Sequence, residues 1–232
     1  KKLREITGVG FKDCKIAIDE NNGDIEKSIE YLRKKGIAKA SKKMGRVAAD
    51  GLALIFEKDN SMSIIEINSE TDFVAKNNDF KNFCKEISEL NFINKSNIQK
   101  LKSSKMKNQK TVDENLIALI SKMGEKITLR RAKFFENNGL NYSYVHNSLE
   151  KNVGKVASIV QLSKNSKKDL KDLGSKLAMH IAAQSPLAID ESGINKETLN
   201  KELEIIKAEL KNSGKKPEMI EKISSGKIKK FI

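Results

Sequence analysis

Apolar positions recur at helical spacing from Leu3 to Gly36, and then the period changes. Leu3 and Ile6 mark a short first helix that the turn Thr7-Gly8-Val9-Gly10 ends; Gly8 and Gly10 permit a sharp reversal that a Cβ would resist. A second helix is expected from Phe11 to about Asn21, with Cys14, Ala17 and Ile18 on one face. Asn22-Gly23 stops it, and Asp24 suits the N-cap of a third helix. There Ile25, Ile29 and Leu32 fall at i, i+4 and i+7, a single apolar stripe. Residues 1–37 are therefore expected to form three short helices around a small core. Residues 38–50 read as a basic, Ala-rich linker that becomes partly helical, with its Lys run a solvated face.

From Gly51 the period is two. Leu52–Glu57, the turn Lys58-Asp59-Asn60, and Met62–Asn68 read as a β-hairpin. A helix follows with Phe80, Phe83, Cys84 and Ile87 along one side, a core stripe. Asn91 to Thr111 is polar and Lys-rich and is expected to be mobile or loosely helical. Asn115–Gly124 reads as an apolar helix and Ile127–Phe135 as a third strand. The order then recurs after roughly ninety residues, about one small domain. Asn141–His146 alternates like a strand, Lys155–Leu162 is its hairpin partner, and Leu170–Ala183 is a helix carrying Leu173, Leu177, Ala178 and Ile181. The fold class expected is α+β: two related subdomains, 51–138 and 139–232, each an antiparallel sheet covered by helices. Asn195–Ser213 and Pro217–Lys230 make a helical hairpin, 195–230, with Pro217 in a first turn and Ser213-Gly214 closing the helix before it.

At 232 residues the chain is long enough for one or two cores plus a small module. Its net charge of +14 implies attraction to acidic partners and salt-sensitive, nonspecific association with RNA. Only five of the 45 basic residues are Arg, however, and bidentate phosphate or guanine readout favours Arg. Specific nucleic-acid recognition is not expected. Cys14 and Cys84 lie far apart and outside any C-x-x-C pair, as reduced thiols of a cytoplasmic protein would. No apolar run is long enough to span a membrane. The two histidines, His146 and His180, lack metal-site or nucleophile spacing, and Gly8-Val9-Gly10 lacks the preceding strand and third glycine of a dinucleotide loop. Neither an enzyme, a cofactor nor a metal is expected.

The stretch Thr71–Asn77, TDFVAKN, carries the most specific chemistry. It sets a carboxylate, Asp72, beside a large ring, Phe73, just past the strand-like run Ser63–Asn68. Such a pair suits insertion into another protein, the ring filling an apolar slot while the carboxylate engages donors at its rim. Burying one Phe is worth roughly 2–3 kcal/mol, enough to shift a partner's equilibrium. The other reading makes Phe73 the start of a core helix and Asp72 an ordinary first-turn acid, and for the heptapeptide alone the core is the commoner place.

Longer segments change that weighting. TDFVAKN after an I-I-E-I-N-S-E strand resembles the signature of the bacterial and organellar elongation factor Ts family. So, in order, do Leu3–Gly36, Lys43–Gly51 (KMGRVAADG), Lys122–Arg131 (KMGEKITLRR) and Leu177–Pro186 (LAMHIAAQSP). The resemblance implies a ubiquitin-associated-like N-terminal module and a guanine-nucleotide exchange factor that binds elongation factor Tu, both GDP-bound and nucleotide-free. It implies contacts to the partner's G domain from Thr71, Asp72, Phe73 and Val74, which would disturb the Mg²⁺ site, and from Met123, Gly124 and Glu125. It also implies a contact from the N-terminal module through Phe11 and Lys12. Lys12 departs from the family's apolar pattern, and Phe11 reads equally as a cap on the three-helix core. His146 and His180 fall in the subdomain expected to face domain 3 of the partner, although His180 reads also as a core histidine. Relatives usually continue with a further strand, so 139–232 is expected to be truncated, and the absence of Met at residue 1 suggests missing leading residues. A basic RNA- or ribosome-binding protein, and a partner that holds Tu without exchange, are the alternatives.

Overall fold

The computed structural model describes residues 1–7, 9–164 and 169–231. It falls into two compact units, Lys1–Ala182 and Ala183–Ile232. Gly8 of the expected first turn and Ile232 lie outside the described residues.

The first unit opens with α1 (Lys2–Thr7), α2 (Phe11–Glu20) and α3 (Ile25–Lys43). Leu3, Cys14, Ala17 and Leu32 form the buried centre, with Val9, Ile18, Ile25, Ile29 and Tyr31 packed around it. Asp24 caps α3 as expected, accepting from the Lys27 N–H at 3.0 Å. The helix does not end with the module. Its last turns run through residues 38–43, where Ala38 and Ala40 are strong helix formers and Ala40 is buried in the main core. There it packs on α7 (Val112–Met123): Gly36 sits against Ile117, and Arg33 reaches Glu114 at 2.8 Å. Only residues 44–49 remain non-helical between α3 and the sheet.

β1 (Asp50–Lys58) and β2 (Ser61–Ser69) form the expected hairpin. Asp59 and Asn60 both have positive φ, the backbone of a tight two-residue turn matched to strand twist. β3 (Thr128–Phe135), β4 (Leu140–Glu150) and β5 (Val153–Leu162) complete an antiparallel sheet in the order β3-β2-β1-β5-β4. The two expected sheet segments thus meet edge to edge as one sheet, joined through Ala53↔Gly154 and Leu54↔Val153. On one face, Leu52, Leu54, Ile65 and Ile67 pack with Phe80, Phe83, Cys84 and Ile87 of α5 (Asn78–Ile93) and with the inner side of α7. The Lys-rich stretch is ordered: Leu101 of α6 (Ile98–Ser103) and Met106 are buried, and Lys105 bridges to Thr111. α7 starts earlier than the apolar pattern indicates, because Thr111 and Glu114 form a capping box. α8 (Lys171–Gln184) lies on β4 and β5, with Gly174 flat against the Tyr142 ring and the Ser158 hydroxyl donating to the Ala178 carbonyl at 2.6 Å.

In the second unit, α9 (Lys196–Asn212), capped by Asn195, and α10 (Pro217–Phe231) pack together as the expected helical hairpin, with Ile206 and Leu210 buried. No described helix is long and apolar enough to cross a membrane.

Candidate functional site

The β1–β2 ladder closes with the pair Asp50↔Ser69. Immediately beyond it, the chain makes a five-residue helix, α4 (Asp72–Lys76). Its inner face is Val74 and Ala75, both buried in the main core. Two anchored residues in so short a helix leave the Asp72, Phe73 and Lys76 positions outward. Phe73 is 82% exposed. Asp72 receives the Lys76 ammonium one turn on at 2.7 Å, and that hydrogen bond holds its carboxyl below the ordinary value.

The start of α4 is fixed from the far side of the sequence. The Thr71 N–H and hydroxyl donate to the two carboxylate oxygens of Glu125, at 3.0 and 2.7 Å. Glu125 follows Gly124, which ends α7 in the left-handed conformation at φ 76°. Next to this clamp, Glu70 accepts from the Lys126 N–H at 2.6 Å and from Arg46 at 3.3 Å. The Lys126 ammonium donates to the carbonyls of Met44 and Arg46 at 2.7 and 2.8 Å, and Lys43 donates to the Gly124 carbonyl. On the other side Lys155 pairs with Asp50, whose carboxylate also takes the Gly51 N–H at 2.7 Å. Phe73 therefore projects from a mount tied to β1, β2, α7 and the segment after α3.

The Thr71–Glu125 hydrogen bonds set Thr71–Val74 beside Met123–Glu125, and the side chains there differ in exposure. Met123 is half-buried against the core, Gly124 is exposed, and both oxygens of Glu125 are engaged on Thr71. Phe11 is 71% exposed at the first turn of α2 with Lys12 exposed beside it, so Phe11 does not cap the three-helix core. Its place at the very start of the helix leaves Cys14 and Ala17 to face inward. His146 is exposed on β4, its Nδ1 3.0 Å from the Tyr144 hydroxyl. His180 is exposed on α8, where Gly174 and Ala178 take the inner face, so it is not a core histidine. These four residues lie outside the Phe73 cluster. Sequence reasoning missed Arg46, Glu70, Lys126, Asp50 and Lys155. Their pairings join residues up to 105 positions apart, and nothing in local pattern marks which charges will meet.

Three part-buried carboxylates around this end of the sheet share one electrostatic bias. The Lys126 N–H holds Glu70 below its ordinary 4.5. Burial pushes Glu66 up, but hydrogen bonds from Arg130, Asn68 and Arg131 more than offset it, and its carboxyl lies below 4.5. Burial likewise raises Asp50, and Lys155 with the Gly51 N–H brings it below 3.8. A carboxyl lowered on folding adds stability above its unfolded value and loses it as pH falls through its folded value. The thermal midpoint should be flat from neutral pH to about pH 5 and drop progressively below that. Glu66→Gln should make the drop shallower, and a midpoint that rises on acidification would contradict the assignment.

Comparison with known proteins places the chain among translation elongation factors. A family model described as elongation factor TS matches residues 70–232, which include α4 and its Glu125 clamp. Over its whole length the chain is 42% identical to the elongation factor Ts of Rickettsia akari (strain Hartford) across 235 residues, which cover 76% of that relative. It is 39% identical to that of Rhodospirillum centenum and 42% identical to that of Nitrobacter hamburgensis, again over all of this chain and 76% of each relative. The chain belongs to the elongation factor Ts family.

Proposed function

We propose that this protein is a guanine-nucleotide exchange factor, acting by protein–protein binding and not as an enzyme. It binds elongation factor Tu·GDP in the cytoplasm, promotes release of GDP and leaves a nucleotide-free partner that GTP refills. The observation that carries the reading is Phe73, almost fully exposed on a helix whose neighbouring residues are buried or clamped. A free protein that leaves a Phe in water on a rigid mount has prepaid the ordering cost of docking it. Phe73 wedges between helices of the partner's G domain while Asp72 engages donors at the rim of the slot. The wedge shifts the backbone that holds the Mg²⁺ and phosphate site, and an octahedral Mg²⁺ shell tolerates little displacement of its oxygen ligands. Met123 and Gly124 supply the adjoining contact, Gly124 letting the two backbones approach, and Glu125 keeps Thr71 and α4 in place. Phe11 with Lys12, and His146 with His180, make contacts further along the same partner. Linkage requires reciprocity: the factor by which this protein weakens GDP binding is the factor by which GDP weakens its own binding.

The test is stopped-flow release of fluorescent GDP from elongation factor Tu. The protein should accelerate release in a concentration-dependent, saturable manner. Binding with an unchanged release rate would reject exchange and leave a holding partner; no binding at all would reject the reading entirely.

A further inference from the structure

The segment between α3 and β1 was expected to be a linker, and it has two exposed apolar side chains that nothing inside the molecule explains. Val47 is 82% exposed and Met44 52% exposed. Single exposed apolar residues are ordinary, but clusters on a rigid surface mark interaction sites. The segment that carries them leaves the same ladder end as the segment that carries Phe73. The ladder ends at Asp50↔Ser69; Val47 stands three residues before Asp50 and Phe73 four residues after Ser69, so the two chains leave the same end of the hairpin. The Arg46–Glu70 pair at 3.3 Å bridges them just beyond that end. The segment is also held by its backbone, because Lys126 takes the carbonyls of both Met44 and Arg46. A flexible linker has no use for a side-chain ammonium committed to two of its carbonyls. Such pinning fixes where Met44 and Val47 project.

We infer that Val47, flanked by Met44, is a second apolar prong of the docking surface, entering the same partner surface as Phe73. This deepens the exchange reading and rests on it. The occupant is the G domain of elongation factor Tu, since a surface that receives the Phe73 ring lies alongside the residues that leave the same ladder end. Two fixed prongs on opposite sides of one ladder would also set the direction in which the wedge enters, which one ring cannot do.

The experiment measures the Kd of elongation factor Tu·GDP for the intact protein and for Val47→Ser, Val47→Ile, Phe73→Ala and Ile93→Ser. Ile93 is another exposed apolar residue, at 66%, on α5. Val47→Ser should weaken binding roughly five- to tenfold with an unchanged thermal midpoint, Val47→Ile should retain binding, and Ile93→Ser should have no effect. Val47→Ser within twofold of the parent while Phe73→Ala is clearly weakened overturns the second prong and leaves the exchange reading standing. An equal loss in Ile93→Ser, or a lowered midpoint in Val47→Ser, also overturns it, by making the effect nonspecific or structural. Failure of the parent protein to bind overturns both.

Discussion

Phe73→Ala should leave the protein folded and remove most of its effect on GDP release. The ring is 82% exposed, so its loss takes almost nothing from the core, and the thermal midpoint should stay within about 2 °C of the parent. In the complex proposed above the same ring would be the central anchor. Burying a Phe is worth roughly 2–3 kcal/mol, which corresponds to about 30- to 150-fold in the rate of GDP release at subsaturating protein. Anchors of this kind often exceed their area-based worth, because the slot they leave is not refilled. The expected split is informative. If Phe73 only adds affinity, saturating concentrations of Phe73→Ala recover the parent's maximal release rate. If it displaces the partner's helices, the maximal rate itself falls. A variant that accelerates release as well as the parent at every concentration would remove Phe73 from the mechanism.

Much of the scaffold was legible in the residues, and the reasons are local. Asn22-Gly23-Asp24 carries a stop and a cap in three positions, Asp59-Asn60 carries the two left-handed residues of a hairpin turn, and the α5 stripe repeats at the helical period. What was not legible is what depends on distant pairing. α3 runs on through Ala38 to Lys43 because the main core receives Ala40, a fact no property of an Ala-Lys run reports. The two sheet segments become one sheet through only two register pairs between β1 and β5. Candidate site residues divide the same way. Pattern alone set the balance at Phe73 toward a core helix and away from a probe, although Asp-Phe-Val-Ala opens either. The family resemblance tipped that balance, and burial of Val74 and Ala75 explains the exposure physically: a five-residue helix can sink only one side. Glu125 was placed by the same resemblance as a partner contact. Its two hydrogen bonds to Thr71 give it a positioning task within the protein, one that only the 54-residue closure reveals.

The same ladder end predicts the largest loss of stability from a single methyl group. Gly51 has φ +133°, a region L-residues avoid, and a Cβ built there would lie 2.2 Å from the Ile67 carbonyl oxygen and 2.7 Å from the Asn68 Cα. Both obstructing atoms are backbone of the paired strand, so no rotamer change relieves the contact. Gly51→Ala must either accept the strain, about 1–3 kcal/mol, or open the first pairs of the β1–β2 ladder. Overpacking of this kind adds a comparable amount, so a total near 3 kcal/mol is expected. For a unit of this size that is a fall in the thermal midpoint of roughly 6–12 °C. The damage should reach the site as well. The Asn68 side chain donates to the Asp50 carbonyl at 3.0 Å, and Asp50 in turn holds Lys155, so opening this end loosens the mount of α4. Hydrogen exchange in Gly51→Ala should therefore quicken first at Gly51–Ala53, Ile67–Ser69 and α4, while α1, α2 and the first turns of α3, whose core is separate, keep their protection. A midpoint within 2 °C of the parent would show that the ladder end is loose already. In that case Phe73 stands on a mobile mount, and its exposure would no longer support a preorganised wedge.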